Sequence, residues 1–157
     1  HAAGCISRKD LISLVLTRCK AMNKAAAIKK SSMAAILGLK YEDVVKIADH
    51  YSVAISNDNA PGNVSIAGLA DRIQQACESA LELGAYKAQI LATMGAWHCD
   101  LMKPAVEDLA HAISSVTWSP PQIPIIDNVT ALEIDFTNIE RQLLLHLLNV
   151  RHSRFWA

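Results

Sequence analysis

From residue 32 to residue 92 the apolar pattern switches between a two-residue and a 3.6-residue period, in the order strand, helix, strand, strand, helix, strand. Few topologies accept that order. Residues 33–38 read as a buried strand, and residues 41–51 as a helix with Val44, Ile47, Ala48 and Tyr51 inward. Residues 53–57 and 63–67 are short, partly β-branched strands. They are joined by Asp58-Asn59-Ala60-Pro61-Gly62, whose Asn, Pro and Gly supply turn dihedrals. Residues 69–83 form an amphipathic helix with Leu69, Ile73, Cys77 and Ala80 on one face, stopped by Gly84 as a left-handed cap. Residues 86–91 close the set as a last strand. The whole is the split βαβ pattern, a ferredoxin-like βαββαβ unit.

The flanks of this unit alternate helix and strand as well, so the chain reads as α/β, with the small unit inserted into a larger α/β body. Ser7 and Asp10 make a capping box that opens a helix running to about Ala26. Leu11, Val15, Arg18 and Met22 form one stripe on it, and Ile12, Leu16 and Cys19 another, which predicts burial over most of its circumference. After the unit comes a loop over residues 93–100, then a helix to Ser115 with Pro104 in its first turn and Val106, Leu109 and Ile113 inward. Residues 123–129 are expected as a strand. Thr137 and Glu140 form a second capping box, opening a leucine-rich helix to about Asn149. The expected division is residues 1–31 and 93–157 in a large subdomain and residues 32–92 in a small one.

Hydrophobic residues are 52% of the chain and charged residues 19%, a composition that excludes a disordered segment. Fifteen Lys plus Arg balance fifteen Asp plus Glu, which leaves no long-range field for nucleic acid or an anionic membrane. No apolar run approaches the roughly 20 residues that cross a bilayer. Cys5, Cys19, Cys77 and Cys99 are scattered, without a CxxC pair and without a signal segment before them, which points to a reducing, cytoplasmic compartment. The chain opens on His1 with small and apolar residues that read as the tail of an earlier element, so upstream sequence is expected to be missing.

Two residues stand out chemically. Arg18 lies between Val15 and Met22 on an apolar helical face, where its guanidinium must either snorkel to water or meet an anion; a carboxylate would suit its planar fork. His98 lies in the loop Met94-Gly95-Ala96-Trp97-His98-Cys99-Asp100 between strand and helix, a position open both to a structural histidine and to a proton-transfer group. Asp100 could orient it but reads more readily as the cap of the next helix. A metal site from His98, Cys99, Asp100 and His111 matches no zinc spacing.

Four segments in fixed order carry a resemblance. They are Thr17-Arg18-Cys19-Lys20-Ala21-Met22, Met33-Ala34-Ala35-Ile36-Leu37-Gly38-Leu39, Asn59-Ala60-Pro61-Gly62-Asn63-Val64-Ser65-Ile66-Ala67-Gly68 and His98-Cys99-Asp100-Leu101-Met102-Lys103-Pro104-Ala105. Pro124-Ile125-Ile126-Asp127-Asn128-Val129-Thr130 makes a fifth. Together they resemble the malonyl-CoA:acyl-carrier-protein transacylases and the acyltransferase domains of polyketide synthases, over nearly the whole chain. The resemblance implies an α/β-hydrolase-like acyltransferase body, partial here, with an inserted ferredoxin-like subdomain.

It also implies an acyltransferase of fatty-acid or polyketide synthesis. A serine on a GHSxG elbow takes the malonyl group from malonyl-CoA, and the phosphopantetheine thiol of acyl carrier protein collects it, in ping-pong order. His98 matches the catalytic histidine. Arg18 matches the arginine that pairs with the free carboxylate of malonate, Met22 lies in the same substrate-binding segment, and Asn59 matches an asparagine beside the active site. Trp97 stands where malonyl-selective members carry a bulky aromatic; such a wall rejects one methyl branch by only about 1–3 kcal/mol. No resident cofactor or metal is implied, and a monomer is expected.

The chain departs from the family pattern at Asn63, where Gln is common, and at Met94, Gly95 and Ala96, where Ser, Ala and Pro are common. It contains no GHSxG, and the oxyanion-hole glutamine and the GPG segment are absent too. Alone it is therefore expected to be inactive. Two other classes compete: an inactive fragment or scaffold that binds acyl carrier protein, and an RNA-binding ferredoxin-like module. The second is disfavoured because residues 63–67 offer no aromatic to stack a base and the chain is neutral.

Overall fold

The computed structural model describes residues 1–148 and the backbone of 151–152. In chain order the elements are α1 (Arg8–Ala26), β1 (Ser31–Leu37), α2 (Tyr41–Tyr51), β2 (Ala54–Ala60), β3 (Asn63–Leu69), α3 (Ala70–Glu82), β4 (Lys87–Ile90), α4 (Pro104–Ser114), α5 (Ile139–Leu148) and β5 (Arg151–His152). Short 3-10 turns at Asp100–Met102 and Phe136–Asn138 precede α4 and α5.

The sheet order is β4-β1-β3-β2-β5. Each neighbouring pair among the first four strands is antiparallel, with Ala34 opposite Ile66 and Ile36 opposite Val64, and β5 adds to β2 in parallel. This is the expected ferredoxin-like unit. Period-two alternation divides the sheet between two tasks. Ala34, Ile36, Val64 and Ile66 point to one face and pack with Val44 and Ile47 of α2 and Ile73, Ala76 and Ala80 of α3. Met33 and Ala67 point to the other face, where they meet Ala96 and Cys99 of the loop after β4. Ile66 is fully buried in the central strand. Ile66→Ala is expected to cost about 2–5 kcal/mol, read as a lower urea midpoint at unchanged m.

The hairpin turn is tighter than expected. Asp58 and Ala60 stay in the ladder, opposite Val64 and Asn63, through two register shifts, and only Pro61 and Gly62 turn. Backbone pairing overrides the turn preference of Asp and Asn. Gly62 at φ +72 after a proline has the order of a type II turn.

A second cluster joins α1, α4 and α5: Ala21, Met22 and Ala25 pack with Met102, Ala105, Leu109, Ile113 and Leu147. Ser7 caps α1 by accepting from the Asp10 amide. The expectation that α1 is buried over most of its circumference is not met. Ile12, Val15 and Leu16 are each about half exposed and Cys19 is exposed, because α4 and the first 3-10 turn cover only the side carrying Ala21, Met22 and Ala25.

Residues 123–129 form no strand. They contribute a single bridge, Ile126 to Glu133, since the Asp127 carboxylate gathers the amides of Val129 and Thr130 into a turn that ends the extended run. Nor does Thr137 cap the last helix. Asp135 accepts from the Thr137 amide and hydroxyl, so Thr137 lies inside the 3-10 turn that leads into α5. The expected end at Asn149 falls outside the described residues. No helix among the described residues is long and apolar enough to cross a membrane.

Candidate active site

The loop that carries His98 is pressed between the two clusters. Gly95 makes this possible: a Cβ there would lie 2.5 Å from the Cβ of Ala26 at the end of α1. The Trp97 amide donates to Met33 Sδ at 3.5 Å, and its side chain packs against both the cluster that holds Met22 and the one that holds Met33. The loop is thereby fixed to α1 on one side and to β1 on the other.

His98 adopts a left-handed backbone, φ +59, which costs a non-glycine residue about 1–3 kcal/mol unless its surroundings hold it. One holding contact is a hydrogen bond between His98 Nδ1 and the main-chain carbonyl of His146, at 2.9 Å. A carbonyl only accepts, so Nδ1 carries the hydrogen and Nε2 carries the lone pair. That is the tautomer of a general base working through Nε2. His146, whose carbonyl accepts this bond, sits in the last turn of α5.

His98 lines a cleft of about 510 Å³ together with Val53, Ala67, Leu69 and, at its rim, Lys29 and Arg72. Arg18, Met22, Asn59 and Trp97 do not line this cleft. Met22 and Trp97 share one apolar cluster next to His98. Arg18 is half-buried one helical turn before Met22, hence on the same side of α1, and takes part in none of the ion pairs among the described residues. The Asn59 amide donates to Asn63 Oδ1 at 3.3 Å and Ser65 Oγ at 3.5 Å. Asn63 and Ser65 alternate with Val64 and Ile66, so Asn59 lies on the sheet face that Ala67 presents to the His98 loop.

Asp100 neither caps a helix nor orients His98. Its carboxylate pairs with Lys103 at 2.7 Å in solvent, and the residue preceding the 3-10 turn is Cys99. Burial pushes the Cys99 thiol up, a backbone hydrogen bond from Leu101 opposes this, and the Asp100 charge adds to the rise. Cys99 is thus held as a thiol and makes a poor nucleophile.

Two residues the sequence reading did not single out complete the arrangement. His146 Nε2 is paired with Asp127 Oδ1, whose carboxylate is buried. Burial raises the Asp127 carboxyl, but the Thr130 amide, the His146 ring and the Thr130 hydroxyl together outweigh it and hold the group below the usual carboxylate range. The signal for both was an ionisable residue interrupting an apolar run: Asp127 after Ile125 and Ile126, His146 among Leu143, Leu144, Leu147 and Leu148.

Among curated proteins, the chain is 36% identical over 135 residues to the malonyl CoA-acyl carrier protein transacylase of Bacillus subtilis, covering 83% of this chain and 43% of that protein. To the protein of the same name from Salmonella typhimurium it is 34% identical over 152 residues, covering 94% and 49%. Among solved structures, FabD from Acinetobacter baumannii superposes with a TM-score of 0.91 at 35% identity, over 99% of this chain and 51% of that one. A malonyl-transacylase solved in complex with its type II PKS acyl-carrier protein matches with a TM-score of 0.90 at 32% identity, over 96% and 50%. No family model matches the chain. The chain spans about half the length of the relatives it matches.

Proposed function

The chain belongs to the malonyl-CoA:acyl-carrier-protein transacylase family, and from this we propose that it forms the histidine- and arginine-bearing half of an enzyme moving malonyl from coenzyme A to acyl carrier protein. The observation that carries the proposal is the His98 imidazole, whose Nδ1 is held by a main-chain carbonyl, so that in the neutral ring Nε2 is the basic nitrogen. A serine on a GHSxG elbow, which this chain lacks, gives its proton to Nε2 and attacks the thioester carbonyl. The C–S bond breaks, and the departing thiolate takes the proton back from the imidazolium. In the second half the carrier's phosphopantetheine thiol gives its proton to Nε2, attacks the acyl-serine, and the serine oxygen recovers the proton.

Arg18 pairs bidentately with the free carboxylate of malonate, which gives a half-buried cation on the apolar side of α1 its anion. Met22 and Trp97 supply apolar wall, and the width of Trp97 disfavours an α-methyl branch. Asn59 borders the acyl site from β2. Residues 1–31 and 93–157 act as the large subdomain and residues 32–92 as the small one, in a monomeric, cytoplasmic enzyme.

The test has two arms. The isolated chain, mixed with malonyl-CoA and phosphopantetheinylated carrier protein, is expected to give no malonyl-carrier. The same chain joined to the GHSxG-bearing half of a relative is expected to give it. Product in the first arm, or none from a folded joined protein, contradicts the proposal; carrier binding without transfer in the second arm favours an inactive scaffold instead.

A further inference from the structure

We propose that Asp127 and the imidazole of His146 are positioning residues for His98: their side-chain pair fixes the last turn of α5, and so the carbonyl that orients the His98 ring. The geometry is a relay of three contacts. His98 Nδ1 donates to the His146 carbonyl at 2.9 Å. The imidazole of the same His146 donates from Nε2 to Asp127 Oδ1. The other carboxylate oxygen, Oδ2, accepts from the Val129 amide at 3.2 Å, the Thr130 amide at 2.9 Å and the Thr130 hydroxyl at 3.0 Å.

Each link does something the next needs. Three donors on Oδ2 pin the carboxylate to its own turn, and burial removes competing water. A pinned carboxylate then fixes the His146 ring, because a hydrogen bond to an ionised acceptor is stronger than one between neutral groups. A fixed His146 side chain sets the rotation of its residue about the helix axis, and with it the direction of its carbonyl. His98 needs that constraint, since a left-handed backbone is costly for a non-glycine residue unless its surroundings hold it. Neither Asp127 nor His146 lines the His98 cleft; together they line a separate small cavity with Thr130 and Arg141. Their action on the reaction is therefore through His98.

The proposal concerns the orientation of His98 and rests on the reading of His98 as the base only for its effect on rate, so its test reads the ring itself. In the full 157-residue chain, labelled with nitrogen-15, long-range proton–nitrogen spectra report the His98 tautomer. Wild type is expected to show two widely separated ring-nitrogen signals, the mark of a fixed Nδ1–H tautomer. Asp127→Asn and His146→Leu are expected to draw the two signals toward each other as the tautomers interchange, with backbone amide signals of β1 and β3 unmoved. His146→Gln, whose side-chain amide can still donate to Asp127, is expected to keep them apart. If Asp127→Asn does not fold, the Leu and Gln variants at 146 decide alone. Signals that stay separated in His146→Leu, or that merge equally in His146→Gln, overturn the proposal. Absence of malonyl transfer in the joined protein would leave this result untouched, so the two failures are distinguishable.

Discussion

His98→Gln is expected to lower malonyl transfer by about 10²–10⁴-fold in kcat, the usual worth of a positioned acid–base group, in a protein joining this chain to a GHSxG segment. Gln is the informative replacement. Its amide can still donate to the His146 carbonyl, 2.9 Å from Nδ1 in the wild type, so the loop keeps a holding bond. It cannot take a proton at the position of Nε2, so the nucleophile stays a neutral hydroxyl. The loss should fall on kcat with KM little changed, because the removed group acts on a proton that moves only in the transition state. Stopped-flow detection of thiol release gives the rate of acylation, and the carrier-bound product measured by mass gives the rate of transfer. Both half-reactions should fall together, since the same nitrogen serves both. A variant that loses one half-reaction and keeps the other would show that His98 is not the shared base.

Arg18→Ala is expected to reduce kcat/KM for malonyl-CoA roughly 30- to 150-fold, the equivalent of about 2–3 kcal/mol for a lost charge-assisted hydrogen-bonded pair. Acetyl-CoA has no free carboxylate, so its kcat/KM should change little, and the preference between the two substrates should collapse. Arg18→Lys keeps the charge but not the fork, and should recover only part of the preference. The contrast separates carboxylate recognition from damage to α1, because a misplaced helix would harm both substrates equally. Arg18 lies one turn from buried Met22 and Ala21, so its own packing contribution is small and the helix is expected to persist.

The ferredoxin-like unit was legible because three independent signals agreed along it. The apolar period, the Asn-, Pro- and Gly-bearing turn and the Gly84 stop all pointed to the same order of elements; the structure keeps that order, with Gly84 at φ +93, and shortens the turn from residues 58–62 to Pro61 and Gly62. Legibility failed where side chains could satisfy the backbone in two ways. Asp58 and Asn59 carry turn propensity, yet β3 pairs with Asp58 and Ala60 on either side of Asn59, and the strand runs on through a register shift. Residues 123–129 carry strand propensity, yet Asp127 offered its carboxylate to the following amides and the strand ended. The exposed Ile12, Val15 and Leu16, drawn from both expected stripes of α1, failed differently: periodicity tells which residues share a face and not what covers it.

The site divided along the same line. His98 and Arg18 were visible as chemically suitable residues, but their roles came from the family resemblance, since a lone histidine in a loop has many ordinary uses. Asp127 and His146 were unreadable as a pair because nineteen positions separate them and the fold alone brings them together. Each left a local trace, a polar group inside an apolar run, whose burial requires a partner.

The proposed function requires the imidazole of His98 and the guanidinium of Arg18 to face one acyl-binding site. A titration of the labelled chain with malonyl-CoA, following the His98 ring nitrogens and the Arg18 Nε signal in the same samples, tests it most directly. Both signals should move along one isotherm with a single Kd, while acetyl-CoA moves His98 and leaves Arg18 in place. Movement of one without the other under malonyl-CoA, or two different Kd values, would contradict it.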